Sequence, residues 1–386
     1  MLAKRNQVII PSEIRKMFNM AKGRENALDM TVGLPDFDTP QYIKDAAKRA
    51  IDEGYTKYTL NAGMMEVREA FAEKLKRENS IEADPKTEII CTGGGMGSLL
   101  LANLVLVDPG DEVIYPDPGF VSHPAHVTLC GGEGVAVQLK RNLGFSFEAE
   151  DLEPLITDKT KLLVINFPNN PTGGTMPRKE LERVAEVVID NDLIVLSDEA
   201  YEKFRWDGEK PLSIASLPGM KERTVTLFSF SKTYAMTGWR IGFSVGPSEI
   251  ISGMVKLQEH VISMPTSISQ KAAEAAVKGP QDSVKSMIET FRKRREIITK
   301  GLQSIEGMEL TPPGGAFYVF PDVSAYGMAS WDLAVKLLED TGVATVHGSA
   351  FGKYGEGFLR ICYAMSDEVI EEAIQRLDSY LPGLLK

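Results

Sequence analysis

An α/β fold with a mainly parallel sheet, joined to a smaller α+β unit, is what the 386-residue sequence predicts, on three observations. Between Thr87 and about Val245, short apolar runs alternate with helical patterns. Turns rich in Gly, or in Asn and Pro, follow several of those runs directly. Beyond residue 286 the alternation gives way to a long helix and then to short strands mixed with helices. Strand–helix alternation marks βαβ units, whose ligand sites lie at the carboxyl ends of the strands.

In chain order, Glu88–Cys91 reads as a strand, followed by a glycine-rich turn at 93–97 and a helix through Ser98–Val107. A strand at Glu112–Tyr115, a helix near Val121–Cys130 and a strand at Val135–Leu139 come next. The β-rich runs Leu162–Asn166 and Leu193–Ser197 flank a helix at Arg178–Asp190, and Thr224–Ser229 and Ile241–Val245 complete the set. In the C-terminal third, Met287–Ile305 is a long helix stopping near Gly307. Gly315–Phe320, Val343–Val346 and Phe358–Tyr363 read as strands. Trp331–Thr341 is predicted helical, with Ser330 as N-cap and Gly342 just past its end. A last helix starts at Ser366, with Asp367 and Glu368 in its first turn and Val369, Ile370, Ala373, Ile374 and Leu377 on its apolar face.

Composition narrows the function. With 43% hydrophobic and 25% charged residues the chain is ordinary globular material, and 43 Lys+Arg against 54 Asp+Glu give a net charge of −11. That balance, without a long basic block, argues against nucleic acid or an anionic membrane as partner. Cys91, Cys130 and Cys362 are too few and too scattered for a disulfide framework. The start holds only the short apolar run Val8–Ile10, ended by Pro11, less than a secretory signal needs, and Ser98–Val107 is about half a bilayer span. A soluble, cytoplasmic protein is expected.

Five segments carry candidate chemistry. Thr92–Ser98 (TGGGMGS) could close backbone N–H groups on a phosphate at a helix N-terminus, or be a tight turn; it matches neither the dinucleotide fingerprint nor a Walker loop. Asn166–Gly174 could aim an Asn at a ligand, or be plain Asn-Pro turn chemistry. Asp198, at the end of an apolar strand, needs a cation or a hydrogen-bond donor, and it could instead cap a helix. Lys232 follows a β run among small hydroxyl residues, where a depressed pKa would make it a Schiff-base nucleophile, and Arg240 eight residues on suits a phosphate. Arg360 inside an apolar strand needs an anion, internal or from a substrate. His123 and His126 lack a nearby third ligand, so no metal site is expected.

The order and spacing of Asn170, Asp198, Tyr201, Ser229, Lys232, Arg240 and Arg360 resemble the class I aminotransferases, pyridoxal 5'-phosphate (PLP) enzymes of fold type I. Val32–Pro40 (VGLPDFDTP) and Lys57–Tyr58 followed by Gly63 and Val67–Ala70 are similar too, so the likeness runs from about residue 10 to the C-terminus. It implies a large seven-stranded, mainly parallel sheet domain and a smaller α+β domain. The division expected is 1–45 as N-terminal arm and part of the small domain, 46–285 as the PLP-binding domain, and 286–386 as the small C-terminal domain.

The resemblance also implies roles. Lys232 would link to the cofactor as an aldimine and then shuttle protons. Asp198 would pair with the pyridine nitrogen, and Tyr201 and Asn170 with the ring oxygen. Phe120 would stack on the ring, where many relatives carry Trp or Tyr. Gly94, Gly95 and Met96 would bind the phosphate through backbone N–H groups, with Ser229 and Arg240. Tyr58 would reach the phosphate from the other subunit of a homodimer. Arg360, with Asn170 and the backbone of Gly33, would bind the substrate α-carboxylate. The reaction implied is ping-pong transfer of an amino group from an L-amino acid, aspartate or a broad aspartate/aromatic range, to 2-oxoglutarate. Aromatic, alanine and 2-aminoadipate transaminases share these motifs, and a PLP β-C–S lyase uses the same Lys, Asp and Arg. Ile14, Arg15, 264–266 and the region after Phe120 are the expected side-chain pocket. A DNA-binding regulator on this scaffold is disfavoured by the acidic chain and by the 30 or so residues before Gly33.

Overall fold

A computed structural model of the chain describes residues 2–385. Its strands are β1 (Leu28–Asp29), β2 (Ile89–Thr92), β3 (Glu112–Asp117), β4 (Glu133–Gln138), β5 (Thr160–Asn166), β6 (Ile194–Asp198), β7 (Thr224–Ser229), β8 (Gly242–Val245), β9 (Tyr318–Val319), β10 (Val343–Ala344), β11 (Val346–His347) and β12 (Leu359–Cys362). Seven of them form one sheet in the order β2-β8-β7-β6-β5-β3-β4. All its neighbours pair in parallel except β8, which runs antiparallel to both β7 and β2. Six strands therefore point the same way. Thr92, Asp117, Asn166, Asp198 and Ser229 all terminate strands on one edge of the sheet, and register brings Asn166 directly beside Asp198.

The apolar runs of β5 to β7 are buried on both faces because helices cover both. On one side, helix Gly94–Leu106 is apolar all round and is packed by helix Ser248–Val261, burying Leu99, Leu101 and Ala102 against Val113, Val164 and Leu227. On the other, helix Arg178–Asp190 turns Leu181, Val184 and Val188 inward onto Leu163 and Val195.

The C-terminal part folds together with the N-terminus. β1 pairs in parallel with β10, and β11-β12-β9 form a small antiparallel sheet. Met17, Ala21 and Met30 share one apolar core with Phe291, Leu333, Leu337, Ile361 and Leu377. No helix of the described residues is long and apolar enough to cross a membrane.

Several expectations shift by a few residues for identifiable reasons. The helix expected from Ser98 starts at Gly94, because the glycine-rich turn is itself the first helical turn. The long helix begins at Asp282 rather than Met287. Ser330 is not an N-cap: it is the first helical residue, Ala329 caps, and the Ser330 hydroxyl donates to Glu356 at 2.8 Å. Gly342 does end that helix, in the left-handed conformation that glycine adopts at least cost. The strand expected at Gly315–Phe320 is only Tyr318–Val319, since Ala316 has φ +55° and its N–H bonds outside the sheet to Phe204. Val343–Val346 divides into β10 and β11, which pair in different sheets.

Candidate active site

The edge formed by the six co-directed strands opens into a cavity of about 410 Å³. One end is a cradle at the N-terminus of helix Gly94–Leu106. Gly94 has φ +76°, and a Cβ there would lie 2.8 Å from Arg240 Nη2. A Cβ on Gly95 would lie 3.6 Å from that of Ser229. Thr92 Oγ1 fixes the turn, 2.8 Å from Ser98 Oγ and donating to the Gly94 carbonyl at 3.2 Å. Arg240 sits at the end of a short 3-10 turn, where Nη1 donates to the Thr237 carbonyl at 3.0 Å. Helix-end N–H groups, a hydroxyl and a guanidinium around one small concavity suit a phosphate.

Lys232 lies in the single helical turn Phe230–Thr233 immediately after β7. Its Nζ donates to the Gly33 carbonyl. Burial lowers its pKa to about 8; the nearby Cys362 opposes the shift, while the Arg360 and Arg240 charges add to it. A lysine so placed exposes far more free amine near neutrality than a surface lysine does.

Asp198 ends β6 with its carboxylate buried. Oδ1 accepts from the Ala200 N–H at 3.2 Å, and Oδ2 lies 3.1 Å from Nε2 of the buried His123. Asn166 ties the neighbouring loops together: its Nδ2 donates to the Asp198 carbonyl at 3.0 Å and its Oδ1 accepts from the Asn170 N–H at 3.1 Å. The Tyr201 and Tyr318 hydroxyls are 2.7 Å apart, and burial holds both phenols well above their ordinary pKa.

Arg360, in β12, is 2% exposed. Nη1 donates to Asn170 Oδ1 at 2.9 Å and Nη2 to the Thr31 carbonyl, while the Tyr318 and Phe351 rings flank the guanidinium at 4.7 and 4.8 Å. Its Nε has no protein partner. The partners here are neutral oxygens, so this buried cation still calls for an anion.

Gly33, Gly95, Met96, Phe120, Asn170, Asp198, Tyr201, Ser229, Lys232, Arg240 and Arg360 all line the one cavity. Gly94 backs it through Arg240. Tyr58 is elsewhere, 89% exposed beside Lys57 and Met64. Of the expected side-chain pocket, Ile14 lines the cavity, whereas Arg15 lies in a separate groove with its guanidinium 5.3 Å from the Phe18 ring. Met264 accepts a hydrogen bond from the Thr59 N–H through Sδ. Tyr318 is a site residue that the sequence reading did not assign, and His123, which that reading put in the side-chain pocket after Phe120, stands instead against Asp198. The His123 ring also meets that of Phe120 edge to face at 5.6 Å. No group of side chains suited to a metal ion occurs among the described residues.

PLP carries a phosphate, a basic ring nitrogen and an aldehyde. The cavity matches these with an anion cradle, a buried carboxylate and a lysine of lowered pKa, so the residues present fit the cofactor. The sequence model of the family described as aminotransferase class I and II matches residues 25–377. The aspartate aminotransferase of Pyrococcus abyssi is 44% identical over 382 residues, 98% of each chain, and the aromatic-amino-acid aminotransferase 2 of Thermococcus litoralis is 42% identical over 382 residues, again 98% of each. The solved aromatic aminotransferase of Pyrococcus horikoshii superposes with a TM-score of 0.91 at 43% identity, covering 96% of this chain and 99% of its own. The cavity and these end-to-end likenesses agree: the chain belongs to the class I and II aminotransferases, PLP-dependent enzymes of fold type I.

Proposed function

We propose that the enzyme moves the amino group of an L-amino acid, from an aspartate/aromatic range, to 2-oxoglutarate by a ping-pong route in which both substrates use the same cavity in turn. The observation that carries this reading is the buried Arg360, bonded only to neutral oxygens, in the wall of the cavity that also holds Lys232 and Asp198. The aspartate and aromatic relatives support the donor range.

The cofactor, when bound, supplies the electron sink that lets a proton leave the amino-acid Cα. Gly94, Gly95 and Met96 N–H groups, Ser229 and Arg240 hold its phosphate, and Phe120 covers its ring. Asp198, oriented by His123 and the Ala200 N–H, keeps a negative charge against the ring nitrogen. Tyr201 and Asn170 donate to the ring oxygen. Arg360 grips the α-carboxylate, assisted by Asn170 and the backbone of Gly33, and so fixes the substrate Cα. Lys232, as a free amine, would take the Cα proton and hold it as an ammonium for delivery on the same face of the site. Tyr58, 89% exposed in one chain, would complete the phosphate site of a second copy in a homodimer.

The test is the absorption spectrum of the PLP-loaded enzyme as single amino acids are added without an oxo acid. Conversion of the cofactor band, with release of the matching 2-oxo acid, supports transamination, and 2-oxoglutarate should then restore the band. Pyruvate and ammonia accumulating under an unchanged band would identify a β-eliminating lyase instead.

A further inference from the structure

Resting on that reading, we infer that Asp117 is a positioning residue for the reaction: its carboxylate straps loop 348–355 to the end of β3 and so fixes Arg360 relative to the cofactor ring. Asp117 is buried at the last position of β3. Among the described residues its carboxylate has two donors, both of the main chain: Oδ2 accepts from the Lys353 N–H at 3.0 Å and Oδ1 from the Tyr354 N–H at 3.1 Å. These two residues open the short turn Lys353–Gly355. The carboxylate packs directly over Gly352, which has φ +126° and where any Cβ would overlap it. A second bond completes the strap, from the Gly119 N–H to the Phe351 carbonyl at 2.9 Å.

A buried carboxylate is costly unless donors satisfy it, and here each oxygen takes one N–H. An amide of the same shape would set an NH2 group against one of those two donors. The strap joins two rings that face the site from opposite parts of the chain. On the β3 side, Pro118 and Gly119 lead directly to Phe120, which lines the cavity where the cofactor ring would stack. On the loop side stands Phe351, whose ring lies 4.8 Å from the Arg360 guanidinium. The loop is closed on its own chain by the Gly348 N–H, which donates to the Phe358 carbonyl at 2.7 Å, two residues before Arg360. Asp117 therefore links the surface that covers the cofactor to the surface that steadies the carboxylate-binding arginine. Precision at that link matters, because a misplacement of about 1 Å between reacting groups can cost about 100-fold in rate.

Asp117→Asn keeps the size of the side chain and spoils one of the two bonds. Calorimetric titration of the PLP-loaded protein with glutarate, a carboxylic acid without an amino group, reads the Arg360 site apart from turnover. In the variant its dissociation constant should rise by about tenfold, the effect of one hydrogen bond to a charged group, with PLP affinity unchanged. Phe351→Leu should also weaken glutarate, and adding Asp117→Asn to it should cost little more, since the strap then holds no ring against Arg360. An aspartate that only stabilises the fold would lower the melting temperature and leave glutarate binding as it was, or its effect would multiply with that of Phe351→Leu. Either result overturns the inference. Gly352→Ala strains the same strap from the loop side with Asp117 in place, so it serves where Asp117→Asn does not fold: it too should weaken glutarate, and unchanged binding overturns the inference. Wild-type protein that binds no glutarate would remove the carboxylate site at Arg360 and the role of Asp117 with it, whereas binding that the variants leave intact removes the role of Asp117 alone.

Discussion

A lysine whose pKa is drawn down to about 8 by burial leaves a measurable trace before any cofactor is bound. In cofactor-free protein, reductive alkylation of Lys232 by a small aldehyde, followed by peptide mass spectrometry, should rise with pH about a midpoint near 8. Surface lysines should keep rising well beyond it. The same shift has a stability consequence of definite sign. Between about 8 and the ordinary 10.5 the unfolded chain holds more of this proton than the folded one, so this group's contribution to stability improves as pH rises through that window. Lys232→Ala should lower turnover by about 10³-fold or more, since a general acid–base group is lost together with the covalent link. Arg360→Lys tests a different property: an ammonium cannot present the guanidinium fork, so KM for the amino acid should rise by about tenfold or more. Both are read from steady-state kinetics against each substrate. Most of these residues were legible because their chemistry is local, as with a lysine after a strand or an arginine inside one. The Tyr318–Tyr201 contact and the pairing of His123 with Asp198 were not, because the partners are 117 and 75 residues apart and only the fold makes them neighbours.

The turn from Asp198 to Phe204 is held from behind by a buried charge cluster. Lys74 reaches Glu202 and donates to Asn79 Oδ1 at 2.8 Å, Asn79 Nδ2 donates to Glu202 Oε2 at 2.6 Å, and the Lys74 ammonium stands 4.3 Å from the Phe228 ring. Removing the ammonium alone leaves a buried carboxylate without its cation. Lys74→Met should therefore destabilise the protein by about 3–5 kcal/mol, read as a fall in the urea midpoint, with the double variant Lys74→Met/Glu202→Leu recovering part of the loss. Beside that pair, burial raises Glu199 to about 8 although the Ser197 hydroxyl donates to its Oε1 at 3.0 Å, and the Glu202 charge pushes the same way. The folded chain holds this proton more tightly than the unfolded one, so stability falls as pH rises from about 4.5 through 8. Glu199→Gln should flatten that part of the profile of melting temperature against pH; an unchanged slope would remove Glu199 as its source. The sequence marked the elements flanking this turn well, because periodicity and caps are local signals. It misjudged Ser330 because a serine before an apolar helix looks the same whether it caps or bonds elsewhere, and its partner Glu356 is 26 residues on. The small sheet was the least legible part. Two-residue strands carry almost no pattern of their own and are defined by what pairs with them.

At the scale of the whole molecule, the cavity is a product of chain closure. Arg360 bonds the Thr31 carbonyl across 329 residues, β1 pairs with β10, and Lys232 reaches back to Gly33, so the carboxylate end exists only when both termini of the chain have folded together. The phosphate end, by contrast, belongs to the large sheet alone, through β2, β7 and the helix that follows β2. Tyr58 fits neither group. It is 89% exposed in a loop that is itself well anchored, with Ser267 Oγ donating to the Tyr55 carbonyl and Met264 Sδ accepting from the Thr59 N–H at 2.7 Å. A fixed loop that presents an exposed phenol beside Leu60, also exposed, is shaped for another surface. If that surface is the phosphate cradle of a second copy, two measurements must move together. Sedimentation should show a dimer, and dilution below its dissociation constant should release PLP, seen as loss of the bound-cofactor band. Tyr58→Phe should leave the dimer intact yet weaken PLP about tenfold, the effect of one hydrogen bond to a charged group. A Tyr58→Phe protein with unaltered PLP affinity would deny the tyrosine its place at the phosphate, while cofactor retention by a demonstrable monomer would show that each chain completes its own site.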